Sequence, residues 1–301
     1  MSAHPLAGVY AAAVTPLKPD YSLDPDALPA LMDFLAGRGC HGAALFGTTG
    51  EGPSFAPEER LRLFRAAAEA GKSRPAFRLL AGTGTPSLTE TIDLTKAAFD
   101  LGFEGVLVLP PYYFRKASDD GLFLFFEELI RKAVPSDGFL LGYHFPGTAG
   151  IGFSLELLSR LKAAFPRQFA GLKDSSHDAD LTRALGERFG SDLLVLNGTD
   201  SYLSLAMEAH AGGCITAAAN LISPDLRALW DAFRAGGDTA ARQARIDEER
   251  HILEQYPPFP SLLKALLARL HGFPRWPVRP PLMPTPDEAV AKAIDELSRV
   301  K

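Results

Sequence analysis

The amino-acid sequence predicts an α/β chain of the (β/α)8 TIM-barrel class with a C-terminal three-helix extension, and three observations carry that prediction. Short apolar, strand-compatible runs alternate with amphipathic, helix-length stretches about eight times between residues 9 and 236. Eight such units fit the length of one barrel. The first run ends Val14-Thr15-Pro16, without the glycine-rich phosphate fingerprint that usually follows the first strand of an open doubly wound sheet.

Strands are expected at Val9–Val14, Gly42–Phe46, Phe77–Ala81, Gly105–Leu109, Phe139–His144, Phe169–Lys173, Leu193–Asn197 and Gly213–Ala217. Helix-length segments lie between them, for example Asp24–Arg38, Pro57–Ala70 and Ser87–Leu101. Helix starts are marked by Asp24 with Pro25, Ala56 with Pro57, and Ser154 ahead of Leu155. Glycine marks helix ends at Gly71 and Gly102. Beyond residue 236 the strand-like runs stop, and Thr239–Glu254, Ser261–Leu270 and Pro286–Val300 read as three helices between proline-rich stretches. The expected domains are a catalytic barrel over residues 1–236 and a helical extension over 237–301, packed on the barrel or on a neighbouring subunit.

Composition excludes several classes. The chain has 301 residues, 47% of them hydrophobic and 22% charged, which are ordinary globular values. A net charge of −5 and the lack of any Lys/Arg run give no reason to expect nucleic acid. Cys40 and Cys214 are the only cysteines, too few for a disulfide framework. No apolar stretch reaches the ~18 residues needed to span a bilayer, and the N-terminus lacks the regions of a signal peptide. A soluble, cytoplasmic enzyme is expected, with no membrane partner. The histidines, at positions 4, 41, 144, 177, 210, 251 and 271, show no paired ligand spacing, so neither a metal nor another cofactor is expected.

Lys173 is the most informative residue. The run Phe169-Ala170-Gly171-Leu172 leads directly into it, and a polar turn from Asp174 to Asp178 follows. An ordinary lysine amine, with pKa near 10.4, is only about 0.1% free base at neutral pH. Burial disfavours the ammonium form and makes such an amine a nucleophile for ketones. The alternative is a strand-end lysine that snorkels to solvent or pairs with Asp174. In a βα barrel the loops after the strands open on one face, where active sites sit. There the second strand is followed by Gly47-Thr48-Thr49-Gly50-Glu51-Gly52, the fourth by Pro110-Pro111-Tyr112-Tyr113, and the fifth ends Tyr143-His144-Phe145-Pro146. The seventh strand ends Asn197-Gly198-Thr199-Asp200 and the eighth carries Ile215 and Thr216. The Gly-Thr-Thr-Gly-Glu turn suits a carboxylate, because glycines admit close approach and N–H groups with hydroxyls can cradle an anion. Its threonines could equally cap the next helix. The tyrosines offer phenols for proton relay, or simply aromatic packing.

These motifs, in this order, resemble the dihydrodipicolinate synthase/N-acetylneuraminate lyase family of class I, pyruvate-type Schiff-base enzymes. The resemblance spans nearly the whole chain, anchored on Gly47-Thr48-Thr49-Gly50-Glu51, Tyr143, Gly171-Leu172-Lys173-Asp174 and Gly198-Thr199-Asp200. It implies that Lys173 forms the Schiff base and that Tyr143 shuttles protons at the imine. It implies that Thr48 and Thr49 hold the 2-oxo acid carboxylate, with Thr49 also in the tyrosine relay. Tyr113, and in second place Tyr112, matches the tyrosine that reaches a neighbouring subunit's site, and Ile215 falls where a strand carbonyl faces the lysine. A homo-oligomer, dimer or tetramer, is implied. Two departures stand out. Where the synthase branch carries an arginine for the aspartate semialdehyde carboxylate, this chain has Thr148, which cannot replace a bidentate guanidinium. His144 stands where asparagine is usual.

The reading that follows is a lyase whose partner is a small, pyruvate-like 2-oxo acid. It would cleave or dehydrate a 2-keto-3-deoxy sugar acid through a Lys173 imine and enamine. Thr199, Asp200, His144 and Thr148 are the candidates for contacting the substrate's tail. Condensation of pyruvate with an aldehyde other than aspartate semialdehyde is the alternative within the family. A non-catalytic keto-acid or sugar-acid binding protein on the same scaffold is the alternative of another class.

Overall fold

The computed structural model describes residues 4–300. Eight parallel strands, each followed by helix, run in chain order and close a barrel. They are β1 (Gly8–Ala12), β2 (Gly42–Leu45), β3 (Arg78–Gly82), β4 (Gly105–Val108), β5 (Phe139–His144), β6 (Phe169–Asp174), β7 (Leu194–Asn197) and β8 (Gly213–Thr216). Each lies within two residues of its expected position at either end. Almost every strand residue is buried.

The chain forms two compact units. One contains residues 4–8 and Arg78–Cys214, and thus β3 to β7 with the start of β8. Its strands pair in parallel; β5 shifts register against β6 between Leu140 and Leu141, and beyond that shift Tyr143 stands opposite Lys173 and His144 opposite Asp174. Helices Leu88–Asp100, Asp119–Ala133, Leu155–Ala164 and Ala179–Phe189 cover this sheet. Asp119–Ala133 shows why they dock: Leu122, Phe126, Leu129 and Ile130 recur at helical spacing and are all buried. Each such side chain contributes roughly 1.5–3 kcal/mol. Ser87, Ser118, Ser154 and Asp178 cap these helices by accepting hydrogen bonds from first-turn N–H groups. The expected cap at Ser154 is among them, and the polar turn after Lys173 ends in the Asp178 cap.

The other unit contains Val9–Phe77 and, among the described residues, residues 215–300. Here β1 pairs with β2, Tyr10 opposite Gly42. The helix expected from Asp24 begins instead with a 3-10 turn, Pro25–Ala27, and the α-helix runs Leu28–Gly37. Asp24 makes no side-chain cap. Helix Pro57–Gly71 starts where the proline predicts, and Glu59 accepts from the Ala56 N–H at 3.0 Å. Helix Ala219–Arg234 has non-helical angles at Ile222, two residues before Pro224, whose ring and missing N–H break the ladder. The three C-terminal helices, Ala240–Glu254, Phe259–His271 and Asp287–Leu297, belong to this unit. The first is tied to helix Ala219–Arg234 by Arg245 and Asp225 at 2.8 Å. Among the described residues, no helix is long and apolar enough to cross a membrane.

Candidate active site

Lys173 is the fifth residue of β6 and is only 3% exposed. It makes no ion pair with Asp174 or any other carboxylate among the described residues. Its Nζ lies 4.1 Å from the centroid of the Tyr143 ring. The cause is register: Tyr143 and Lys173 are partners on adjacent parallel strands, so their side chains leave the same face of the sheet. Tyr143 is buried as well, and Phe145 stacks on its ring at 5.9 Å. Neither snorkelling nor pairing with Asp174 describes this lysine. It is a buried amine against an aromatic face, with no carboxylate partner among the described residues.

Strand alternation sends the next residues the other way. His144 and Asp174, also register partners, face away from Tyr143 and Lys173. The His144 Nδ1 accepts the Phe153 N–H at 2.9 Å, and a Cβ on Gly152 would lie 2.5 Å from the imidazole Cε1. Burial lowers the His144 pKa from the ordinary imidazole value, against the pull of Asp174 and Asp178. Burial likewise raises the Asp174 carboxyl, although Ser176 and His144 oppose the shift. Both shifts favour the neutral forms. His144, expected at the substrate's tail, is thus packed among Phe153, Gly152 and Asp174.

The ends of β6 and β7 meet closely. The Gly198 N–H donates to the Asp174 carbonyl at 2.6 Å, and a Cβ on Gly198 would stand 2.0 Å from the Ser175 Oγ. Only glycine fits that approach. Just beyond it, the Thr199 N–H donates to the Asn197 Oδ1 at 2.8 Å. The Thr199 hydroxyl is buried and has no hydrogen-bond partner among the described residues, and Asp200 is fully buried in the 3-10 turn Asp200–Tyr202. Thr148, in the short helix Pro146–Ala149, is exposed. Tyr113 is 77% exposed, its ring edge-on to that of Phe114. Lys173 and Tyr143 are therefore brought together, Thr199 and Asp200 follow the neighbouring strand, and Tyr113 projects to solvent.

In the other unit, the Gly47–Gly52 turn leaves β2 with Phe46 and Glu51 in left-handed conformation, φ 53° and 57°. A Cβ on Gly52 would lie 2.1 Å from the Phe46 carbonyl oxygen, so the turn folds back on its own strand. The Glu51 N–H donates to the Thr48 carbonyl and the Gly52 N–H to the Gly47 carbonyl, both at 3.0 Å. Thr48 is exposed and Thr49 is 7% exposed. The Thr49 hydroxyl has no protein partner among the described residues, so it does not cap the following helix. Ile215 is fully buried on β8.

Sequence reasoning missed one feature here. The carboxylate of Glu51 is buried on Lys264, whose Nζ donates to Oε1 at 2.5 Å, and on the Arg279 N–H, which donates to Oε2 at 2.8 Å. The unusual presence of a lysine inside the otherwise apolar run Leu262–Leu267 was the available signal.

The family model described as the dihydrodipicolinate synthetase family matches residues 5–299. The chain is 36% identical over 285 residues to an uncharacterized DapA-like lyase of Chloroflexus aurantiacus, covering 94% of this chain and 93% of that protein. It is 36% identical over 304 residues to a 4-hydroxy-tetrahydrodipicolinate synthase of Sorangium cellulosum, covering 99% and 97%. Among solved structures, YagE of E. coli K12, determined in complex with pyruvate, superposes with a TM-score of 0.92 at 24% identity, covering 99% of each chain. That last likeness speaks to the fold.

Proposed function

The chain belongs to the dihydrodipicolinate synthetase family of Schiff-base-forming lyases, and on that premise we propose that it acts on a 2-oxo acid through a Lys173 imine. The observation that carries the reading is the Lys173 amine, 3% exposed, without a carboxylate partner among the described residues, its Nζ 4.1 Å from the Tyr143 ring centroid. The Nζ attacks C2 of the keto acid, the carbonyl oxygen leaves as water, and a cationic iminium forms. Loss of a C3 proton then gives the enamine. In the cleavage direction the C3–C4 electrons flow into the iminium, while the C4 hydroxyl gives up its proton and departs as an aldehyde. Tyr143 is the phenol assigned to these proton transfers, and Thr49 the second member of the relay.

Thr48 and Thr49 are assigned the carboxylate, which the Thr49 hydroxyl, without a protein partner among the described residues, favours. Ile215 is assigned a backbone contact at the lysine, and Tyr113, exposed as it is, a contact with a second subunit of a homo-oligomer. The substrate is proposed to be a 2-keto-3-deoxy sugar acid or a similar hydroxylated keto acid. Thr199 supports this, because its buried, unpartnered hydroxyl beside the buried Asp200 suits a polyol tail. Thr148 argues against an aspartate semialdehyde partner, since no guanidinium stands at that position. Condensation of pyruvate with another aldehyde is the second reading, favoured by the relative from Sorangium cellulosum.

Incubation with pyruvate and sodium borohydride, followed by mass spectrometry, tests the imine. A stable adduct on Lys173, absent from Lys173→Ala, is expected. Absence of any adduct with pyruvate and longer 2-oxo acids would overturn the reading and favour a binding protein. A panel of 2-keto-3-deoxy sugar acids, followed by pyruvate release, then separates cleavage from condensation.

A further inference from the structure

We infer that Glu51, Lys264 and Arg279 form a clamp through which the C-terminal segment positions the Thr48–Thr49 turn for the substrate carboxylate. The inference deepens the proposed function and rests on it. Three observations support it. First, the turn is strained: Glu51 is a non-glycine residue at φ 57°, a conformation that persists only where the surroundings over-determine it. Second, those surroundings come from far along the chain. Lys264 lies on helix Phe259–His271, and its Nζ bridges the Glu51 Oε1 and the Pro277 carbonyl, 2.7 Å away. Arg279 donates its N–H to Glu51. Its guanidinium donates to the Ser54 and Tyr21 carbonyls and to both oxygens of Glu59, and lies 4.2 Å from the Phe55 ring centroid.

Third, the polar anchors of the turn are backbone carbonyls and do not engage the Thr49 hydroxyl. The Thr15 hydroxyl donates to the Gly50 carbonyl at 2.6 Å, and Arg60 to the Gly52 carbonyl at 2.6 Å. The Thr49 hydroxyl has no protein partner among the described residues, so its position is inherited from the backbone that Glu51 fixes. Both Lys264 and Glu51 have fully buried side chains. An ion pair so deep is weak evidence for stability, since apolar residues of like size serve a core as well. A positioning role accounts for it better: the carboxylate has one oxygen for each of two distant donors, and together they hold a left-handed turn that packing alone would let relax.

The test compares Lys264→Met with Ser261→Ala in the full-length protein. Ser261 lies on the same helix, and its hydroxyl accepts from the Thr285 N–H at 2.6 Å with no contact to the turn, so its loss destabilises the same region. The readout is the pyruvate concentration that half-saturates borohydride trapping on Lys173. In Lys264→Met this concentration is expected to rise on the order of ten-fold or more, as misplaced binding groups do, with the adduct at saturating pyruvate retained. In Ser261→Ala it stays at the wild-type value. Superimposable curves for Lys264→Met and wild type overturn the clamp, as does an equal shift in Ser261→Ala. Glu51→Gln, which keeps size but offers one acceptor instead of two, serves if Lys264→Met does not fold. If the wild type itself traps no pyruvate, the proposed function fails. Amide exchange of residues 47–52 then decides the clamp: faster exchange in Lys264→Met than in Ser261→Ala supports it, and equal exchange overturns it.

Discussion

Among the described residues two lysines are almost completely buried, and their surroundings are opposite. Lys264 has a carboxylate at 2.5 Å and a carbonyl at 2.7 Å, so two of its three donors are engaged. Lys173 has the π face of Tyr143 and, among the described residues, no carboxylate partner. Burial alone therefore does not mark a reactive amine, because the same desolvation accompanies a structural ion pair. What marks it is burial with an incomplete set of partners, leaving the amine available to a carbon electrophile. Lys264 also shows the reverse cost. Burial pushes its pKa down, and the Glu51 carboxylate opposes that shift.

The sharpest way to break this comparison is to exchange each amine for an apolar side chain of similar length. Lys173→Met is expected to abolish the pyruvate adduct and lower turnover on the order of 10³-fold or more. Its urea midpoint should stay at the wild-type value or rise, because no ion pair is lost. A large drop in the midpoint would show that Lys173 is structural after all. Lys264→Met should do the opposite. It leaves the Glu51 charge buried without its partner, a change that costs about 3–5 kcal/mol, read as a fall in the urea midpoint. At saturating pyruvate the Lys173 adduct should still form. Adding Glu51→Gln to Lys264→Met should recover part of the stability, since no lone buried charge then remains.

Tyr143→Phe sharpens the other half of the comparison by keeping the ring and removing the phenol. If the aromatic face alone matters, trapping on Lys173 proceeds at the wild-type rate. The proton-relay assignment expects the rate of adduct formation to fall by about 10²-fold, with the final adduct mass unchanged. Rapid-quench borohydride trapping measures this directly.

Much of this was legible in the chain, and the rest was hidden for identifiable reasons. Periodicity placed the eight strands, because each short apolar run is bounded by a polar or glycine-rich loop. Lys173 stood out because an amine at the end of such a run contradicts its surroundings. The Ser154 cap was readable from one residue and its position. The pairing of Glu51 with Lys264 was not, since 213 residues separate them and no periodicity links a turn to a distant helix. Asp24 had the right residue type for a cap, yet a 3-10 turn forms after it and its carboxylate makes no cap bond. His144 was within reach of the sequence. A side chain next to Tyr143 on a strand must leave the opposite face, and that rule alone turns it away from Lys173.

His4 extends the comparison to a base whose ordinary pKa lies near neutrality, and its effect is the smallest. Its imidazole is half-buried, packs edge-on against Phe139 at 4.8 Å and accepts the Leu6 N–H at Nδ1, 3.1 Å away. Like Lys173 it has no anionic partner among the described residues. Burial, with the nearby Lys162 charge adding to it, lowers its pKa from 6.5 to about 4. Between those two values the unfolded chain binds a proton that the folded chain refuses, so stability falls as the pH falls. The His4 contribution is complete above about pH 6.5 and is lost progressively toward pH 4. His4→Asn keeps an acceptor for the Leu6 N–H but cannot titrate. Its melting temperature, measured across that window against wild type, should decline less steeply on acidification while matching wild type in shape above pH 7. Parallel curves throughout would mean that the His4 ring protonates without cost, and that a buried base needs no anion to keep its charge here.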